Sequence, residues 1–247
     1  MRHILKRDRP RVFKRIPALD KSQQNYLRGS KITQVLESGC WVGKRCFLIA
    51  GGESLIGFDF SKLDSELTIG INKVFEFYPK AKINYMMDIL FYEAIHKKEN
   101  LLLKWCEFEG LKVFLSPFTM KNLGPDVYLV KRIKNFEISL NLGAGVYGGS
   151  NSGVGALMLA IALGANPIYL LGYDLKCSKQ SHWHGGYGDN RDLIRYNRKL
   201  GTFTKDFESI SSRKDGKLLI VNLSSDSELK CFPFEDVNKI LCPHLKM

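Results

Sequence analysis

Neither a CxxC pair nor any regular spacing links Cys40, Cys46, Cys106, Cys177, Cys231 and Cys242. That argues against a structural zinc site, and cysteines scattered through a 247-residue chain read as reduced thiols in a cytoplasm. An apolar leader is also missing, because the N-terminus is charged, so no signal peptide is expected. Uninterrupted apolar length is lacking too. The most apolar stretch, VGALMLAIALGANPIYLLGYD, is divided by Gly164-Ala165-Asn166-Pro167 into a helix and a strand, which a spanning helix does not require. Acidic side chains are in deficit: 25 Asp and Glu face 37 Lys and Arg, leaving a formal charge of +12. The excess suits an anionic partner such as nucleic acid, a nucleotide or an acidic membrane surface, without choosing among them. There is no internal repeat and no low-complexity tract.

What the chain does have is core-forming material. At 45% hydrophobic it can bury one large α/β domain. Residues 1–40 form a basic N-terminal extension, with seven basic side chains and one acid in the first fifteen residues and a possible short helix at KSQQNYLRG. Residues 41–247 carry the ordered pattern. Apolar runs predict strands at Cys46–Ala50, LTIGINKVF, INYMMD, LKVFLSP, DVYLVKRI, PIYLLGYD and KLLIVNLS. Helices are predicted after Asp88, over GVGALMLAIALGA, over DLIRYNRKLGTFTKDFESI, and as a cap at FPFEDVNKIL. Strands alternating with helices predict a doubly wound, mostly parallel, Rossmann-like sheet in a single domain. Ligands of such sheets sit beyond the carboxyl ends of the strands. Gly51, Gly52, Glu53, Ser54, Asn72, Asp88, Ser150, Asn151, Ser152, Gly153, Asp174, His182, His184 and Ser224 all fall there.

Each of these has a functional and a structural use. GGESL lacks the full GxGxxG and the Walker lysine, so it is a tight turn or a phosphate cradle. Ser150, Asn151 and Ser152 are N-cap candidates at a helix start whose free N–H groups attract anions. Asn72 could bond a sugar or base, or make an Asx turn. Asp88 and Asp174 could hold ribose or a metal, or cap the following turn. An uncompensated carboxylate beyond so apolar a strand is costly, which gives Asp174 a specific role. For His182 and His184, flanking Trp183, a general base ranks first, a solvated loop second and metal ligation third.

On FLIAGGESLIGFD, IGINKVF, SNSGVGALMLAIALGANPIYLLGYD and VNLSSDSELKCFP, spanning roughly residues 44–235, the chain resembles two related groups. One is the family 42 glycosyltransferases, bacterial sialyltransferases. The other is the MptE-like family, and HWHG is most like its small phage-encoded members. The first resemblance implies a cytoplasmic transferase that moves a sugar from a nucleotide-sugar without a cofactor. Gly51, Gly52, Asn72, Ser152 and Gly153 would hold the donor, with Tyr173 beside them. His184, or else His182, would be the base beyond Asp174. The acceptor would be anionic, nucleic acid or glycolipid, and a homo-oligomer is possible. The second resemblance implies an ATP-dependent diphosphotransferase with Mg²⁺ at Asp88, Asp174 and Glu53. A non-catalytic nucleotide- or nucleic-acid-binding protein is the remaining alternative. The chain departs from these families at Glu53, where they often carry proline. Lys176 follows Asp174 where a tyrosine assisting the leaving phosphate is expected, and Tyr187 or a lysine could substitute.

Overall fold

A computed structural model of the chain describes residues 30–116, 126–184 and 193–241. The strands are β1 (Ser30–Lys31), β2 (Cys46–Ile49), β3 (Leu67–Ile71), β4 (Ile83–Met86), β5 (Leu111–Ser116), β6 (Val127–Ile133), β7 (Val146–Tyr147), β8 (Ile168–Leu171) and β9 (Ile220–Asn222). The helices are α1 (Val74–Phe77), α2 (Ile89–Lys97), α3 (Glu99–Glu107), α4 (Ser152–Ala162), α5 (Leu193–Arg213) and α6 (Val237–Leu241). The strands make one sheet in the order β1-β6-β5-β4-β3-β2-β8-β9, with β7 joined to β6, and every pairing among them is parallel. This is the α/β Rossmann-like architecture expected from the apolar runs, and all seven sequence-predicted strands are present.

The continuous runs are strands because both faces of the sheet are covered. In β2, Cys46 and Leu48 enter one core while Phe47 and Ile49 enter the other. The same alternation places Ile168 and Leu170 opposite Tyr169 and Leu171 in β8. Helix α4 is buried at every position from Val154 to Ala162, as an all-apolar helix must be. It stops where Gly164 adopts φ +82°, a conformation open to glycine.

Two short strands escape the sequence pattern. β1 adds to the sheet edge beside β6, and Ile32 and Trp41 are buried in the core. The folded unit therefore already includes residues from 30 onward, ahead of the position 40 that charge alone marks. The KSQQNYLRG segment and Tyr187 lie outside the described residues. Among the described residues no helix is long and apolar enough to cross a membrane.

Strand order reverses between β2 and β8. Strands β3 to β6 run away on one side and β9 lies on the other. The crevice of a doubly wound sheet opens at this reversal, above the carboxyl ends of β2 and β8.

Candidate functional site

A cleft of ≈ 150 Å³ occupies that position. The turn after β2 contributes Ala50, Gly51 and Gly52, and the ends of β3 and β8 contribute Asn72, Tyr173, Leu175 and Lys176. The start of α4 adds Asn151, Ser152 and Gly153. Ser181 and His182 come from the following loop, and Tyr196, Leu200 and Phe203 from α5. Eight of the residues singled out in the sequence line it: Gly51, Gly52, Asn72, Asn151, Ser152, Gly153, Tyr173 and His182.

The β2 turn is close-packed against distant segments. A Cβ at Gly51 would lie 2.4 Å from the His182 ring, and one at Gly52 would lie 2.4 Å from the Asp174 carboxyl carbon. These glycines let two side chains reach the backbone. Asp174, only 5% exposed, accepts the Ser54 N–H at 2.7 Å and the Ser54 hydroxyl at 2.6 Å. The Ser224 hydroxyl lies 3.0 Å from that of Ser54. Asp174, Ser54 and Ser224 thus lie behind the cleft wall, where they fix the turn. The buried carboxylate is compensated by Ser54 rather than turned toward the cleft.

Glu53 also faces away. Its carboxylate accepts the N–H groups of Ser178, Lys179 and Gln180 and the hydroxyl of Ser178. Desolvation pushes this carboxyl up, but those hydrogen bonds outweigh it and hold the pKa below the ordinary glutamate value. The stabilisation is therefore complete above the ordinary glutamate range and is lost as the pH falls through the lowered value.

At α4, Asn151 caps the helix by accepting the Val154 N–H at 3.1 Å. The N–H groups of Ser152 and Gly153 remain for the cleft, since no described residue accepts from them. The preceding loop is held by Asp206 of α5, which accepts the Ser150 N–H at 2.7 Å and the Tyr147 hydroxyl at 3.1 Å. Ser150 itself is exposed and outside the cleft lining. Tyr173 donates its hydroxyl to the Gly153 carbonyl at 3.1 Å, and burial pushes that phenol well above the usual tyrosine range.

Asn72 and Leu175 are the two non-glycine residues with positive φ among the described residues, at 54° and 50°, and both line the cleft. For a residue such as Leu175 this conformation costs on the order of 1–3 kcal/mol, and strain of that kind collects at functional sites. The Asn72 side-chain oxygen accepts the Ser152 hydroxyl at 3.3 Å, joining β3 to the α4 terminus. Asparagine tolerates this backbone, and glycine tolerates it better. Asn72→Gly is therefore expected to leave the thermal midpoint nearly unchanged while weakening ligand binding, whereas Asn72→Val lowers the midpoint as well. Thermal unfolding with and without nucleotide checks both.

The histidines separate. His182 lines the cleft, its Nδ1 3.0 Å from the Ser181 hydroxyl and its Nε2 3.3 Å from the Tyr196 hydroxyl. His184, favoured as base in the sequence, is 8% exposed and stacks on Phe77, with ring centroids 4.9 Å apart and planes at 20°. Trp183 makes edge contact with it and leans on Phe60 and Phe77. Different neighbours account for the separation: the His182 ring rests against Gly51 and Tyr196 at the cleft, whereas His184 is held against Phe77 and Trp183. The two imidazoles lie 5.4 Å apart, and no third ligating side chain joins them among the described residues.

Asp88 is the helix cap that its alternative use describes. It accepts the N–H groups of Leu90 at 2.9 Å and Phe91 at 3.3 Å, and it is exposed outside the cleft. The three carboxylates considered for a metal therefore serve three separate structural tasks. Conversely, Tyr196, Leu200 and Phe203 were not singled out by motif. They fall at i, i+4 and i+7 on one face of α5, a spacing that marks a buried stripe without saying what it covers. Lys176 adds the cleft's cation. Its ammonium sits 2.6 Å from Asp226, a hydrogen bond that raises its pKa above the ordinary lysine value.

No family model matches the chain, and no curated protein matches it. Among solved structures it is similar to the sialyltransferase CstII from Campylobacter jejuni in complex with cytidine-5'-monophosphate. The identity is 19%, the TM-score 0.49, and the match covers 80% of this chain and 86% of that one. It is also similar to the monofunctional alpha-2,3-sialyltransferase Cst-I from Campylobacter jejuni, at 22% identity and a TM-score of 0.48, covering 77% of this chain and 80% of that one.

Proposed function

We propose that the chain is a glycosyltransferase-like enzyme that transfers a sugar from a nucleotide-sugar to an acceptor hydroxyl, with His182 as general base. The observation that carries this reading is the convergence in one cleft of an anion-attracting helix terminus, the imidazole of His182 and two residues of left-handed backbone, Asn72 and Leu175. The Ser152 and Gly153 N–H groups, with the α4 dipole, receive the nucleotide phosphate. Lys176 stands at the same cleft to offset charge as the phosphate leaves. When Nδ1–H of His182 donates to Ser181, Nε2 is the accepting nitrogen, and the acceptor hydroxyl takes the place of the Tyr196 hydroxyl that donates to it. It takes the acceptor's hydroxyl proton as the acceptor oxygen bonds to the sugar's anomeric carbon and the bond to phosphate oxygen breaks.

An anionic acceptor, nucleic acid or glycolipid, fits a second feature. Among the described residues, a cavity of ≈ 450 Å³ beside β1 and β6 is lined by Lys31, Lys131 and Arg132 and by no acid. Arg132 donates to the Gly149 carbonyl at 3.4 Å, on the loop that leads into α4. The Mg²⁺-dependent diphosphotransfer reading has less support, because Glu53, Asp88 and Asp174 are each committed to other donors.

The test is a thermal-shift screen of CMP-, UDP- and GDP-sugars, ATP with and without Mg²⁺, and short DNA, followed by turnover of the hits. Stabilisation and turnover by a nucleotide-sugar that survive EDTA are expected. Turnover of ATP strictly dependent on Mg²⁺, or DNA binding alone with a steep salt dependence, would replace this reading.

A further inference from the structure

His182 is carried by a loop fastened on both sides to one turn. Ahead of it, three consecutive N–H groups, from Ser178, Lys179 and Gln180, together with the Ser178 hydroxyl, converge on the Glu53 carboxylate. Behind it, Trp183 donates its backbone N–H to the Gly51 carbonyl at 3.0 Å and its indole N–H to the Ala50 carbonyl at 2.9 Å. Only Ser181 and His182 lie between the two fastenings, and the His182 ring rests on the bare Gly51. We propose that Glu53 is a positioning residue whose carboxylate latches Ser178–Gln180 to the turn after β2 and so sets His182 over the donor cleft. Its consequence for catalysis rests on the glycosyl-transfer reading above.

The residue type is specific to the task. An ionised carboxylate only accepts, with about four lone-pair sites, and here four donors meet it. Glutamine would turn an NH₂ toward N–H groups, and proline would offer nothing. The latch also reconciles a negative side chain with a phosphate site two residues from Gly51. Glu53 is outside the cleft lining, and its oxygens point to the loop rather than to the ligand.

Amide hydrogen exchange on the full chain, without substrate, compares wild type with Glu53→Gln, Glu53→Ala and Glu53→Ala in formate. The amides of Ser178, Lys179 and Gln180 are expected to exchange about 10-fold faster or more in both variants, the scale of losing one charge-assisted hydrogen bond. Those of Cys46–Ile49 stay protected, and formate restores protection in the alanine variant by refilling the carboxylate position. With nucleotide-sugar, kcat falls while the donor KM holds, and formate recovers part of the rate. Unchanged exchange overturns the latch; faster exchange with an unmoved kcat overturns the positioning role. If wild type turns over no nucleotide-sugar, the transfer reading falls by itself. The NMR titration of His182 then decides the latch: a curve identical in wild type and Glu53→Gln overturns it, and a displaced one supports it.

Discussion

His182→Ala is expected to lower nucleotide-sugar turnover by about 10²–10⁴-fold, the usual contribution of a positioned general base. Donor affinity should change little, since the helix terminus and the β2 turn are untouched. His184→Ala should behave in the opposite way. Its ring stacks on Phe77 outside the cleft. Truncation therefore removes packing, at a cost of about 1–3 kcal/mol, with a smaller effect on kcat. Steady-state kinetics beside thermal unfolding separates the two residues. A dead His184→Ala enzyme together with an active His182→Ala enzyme would move the base to His184. Gly51→Ala is expected to share the His182→Ala defect, because its Cβ would displace the ring. Adding it to His182→Ala should cost little more, since the clash partner is then gone.

Gly155→Ala should carry the largest stability penalty of any single-methyl change near the site. Its Cβ would lie 2.1 Å from the Tyr85 hydroxyl and 2.8 Å from the ring carbon bearing it. Tyr85 is fully buried in the sheet centre and cannot swing away. Overpacking of this kind costs on the order of 1–3 kcal/mol, which lowers the midpoint of a domain this size by about 2–4 °C per kcal/mol. The same geometry predicts a rescue. The Tyr85 hydroxyl has no hydrogen-bond partner among the described residues, and burial drives its pKa far up. Removing an unsatisfied buried hydroxyl should be neutral or stabilising, so Tyr85→Phe alone keeps or raises the midpoint. In the double variant the shortest clash disappears. A double-mutant cycle by thermal or denaturant unfolding measures the coupling, and strict additivity would show that Tyr85 is not the obstacle.

The sheet is legible in the sequence because two-sided burial writes each strand as an unbroken apolar run, and Cys46–Ile49 and Ile168–Leu171 are the plainest cases. β1 and β7 are not legible, since each is two residues long and held by its neighbour rather than by its own pattern. The cleft is half legible. A strand end followed by glycine, or by Ser-Asn-Ser, announces itself, so Gly51, Gly52 and Ser152 could be placed. Which side chain turns inward cannot be read from adjacency. Glu53 and Ser54 are neighbours, yet their partners lie more than a hundred residues away, and His182 and His184, two residues apart, rest on the distant Gly51 and Phe77. The stripe of α5 reads as ordinary core because an aromatic that roofs a ligand and one that fills a core obey the same spacing.

Helix α5 grips both lips of the cleft. Asp206 holds the loop before α4, while Asn197 bonds both backbone groups of Cys177 and Tyr196 reaches His182. Asn197 and Asp206 are nine residues apart, about 14 Å along one rod, and Phe207 and Ile210 root that rod in the core. A lip that opened alone would have to tear loose from the rod. The two sides of the mouth are therefore expected to open as a single motion, with one rate for the entry of the proposed donor and the exposure of His182.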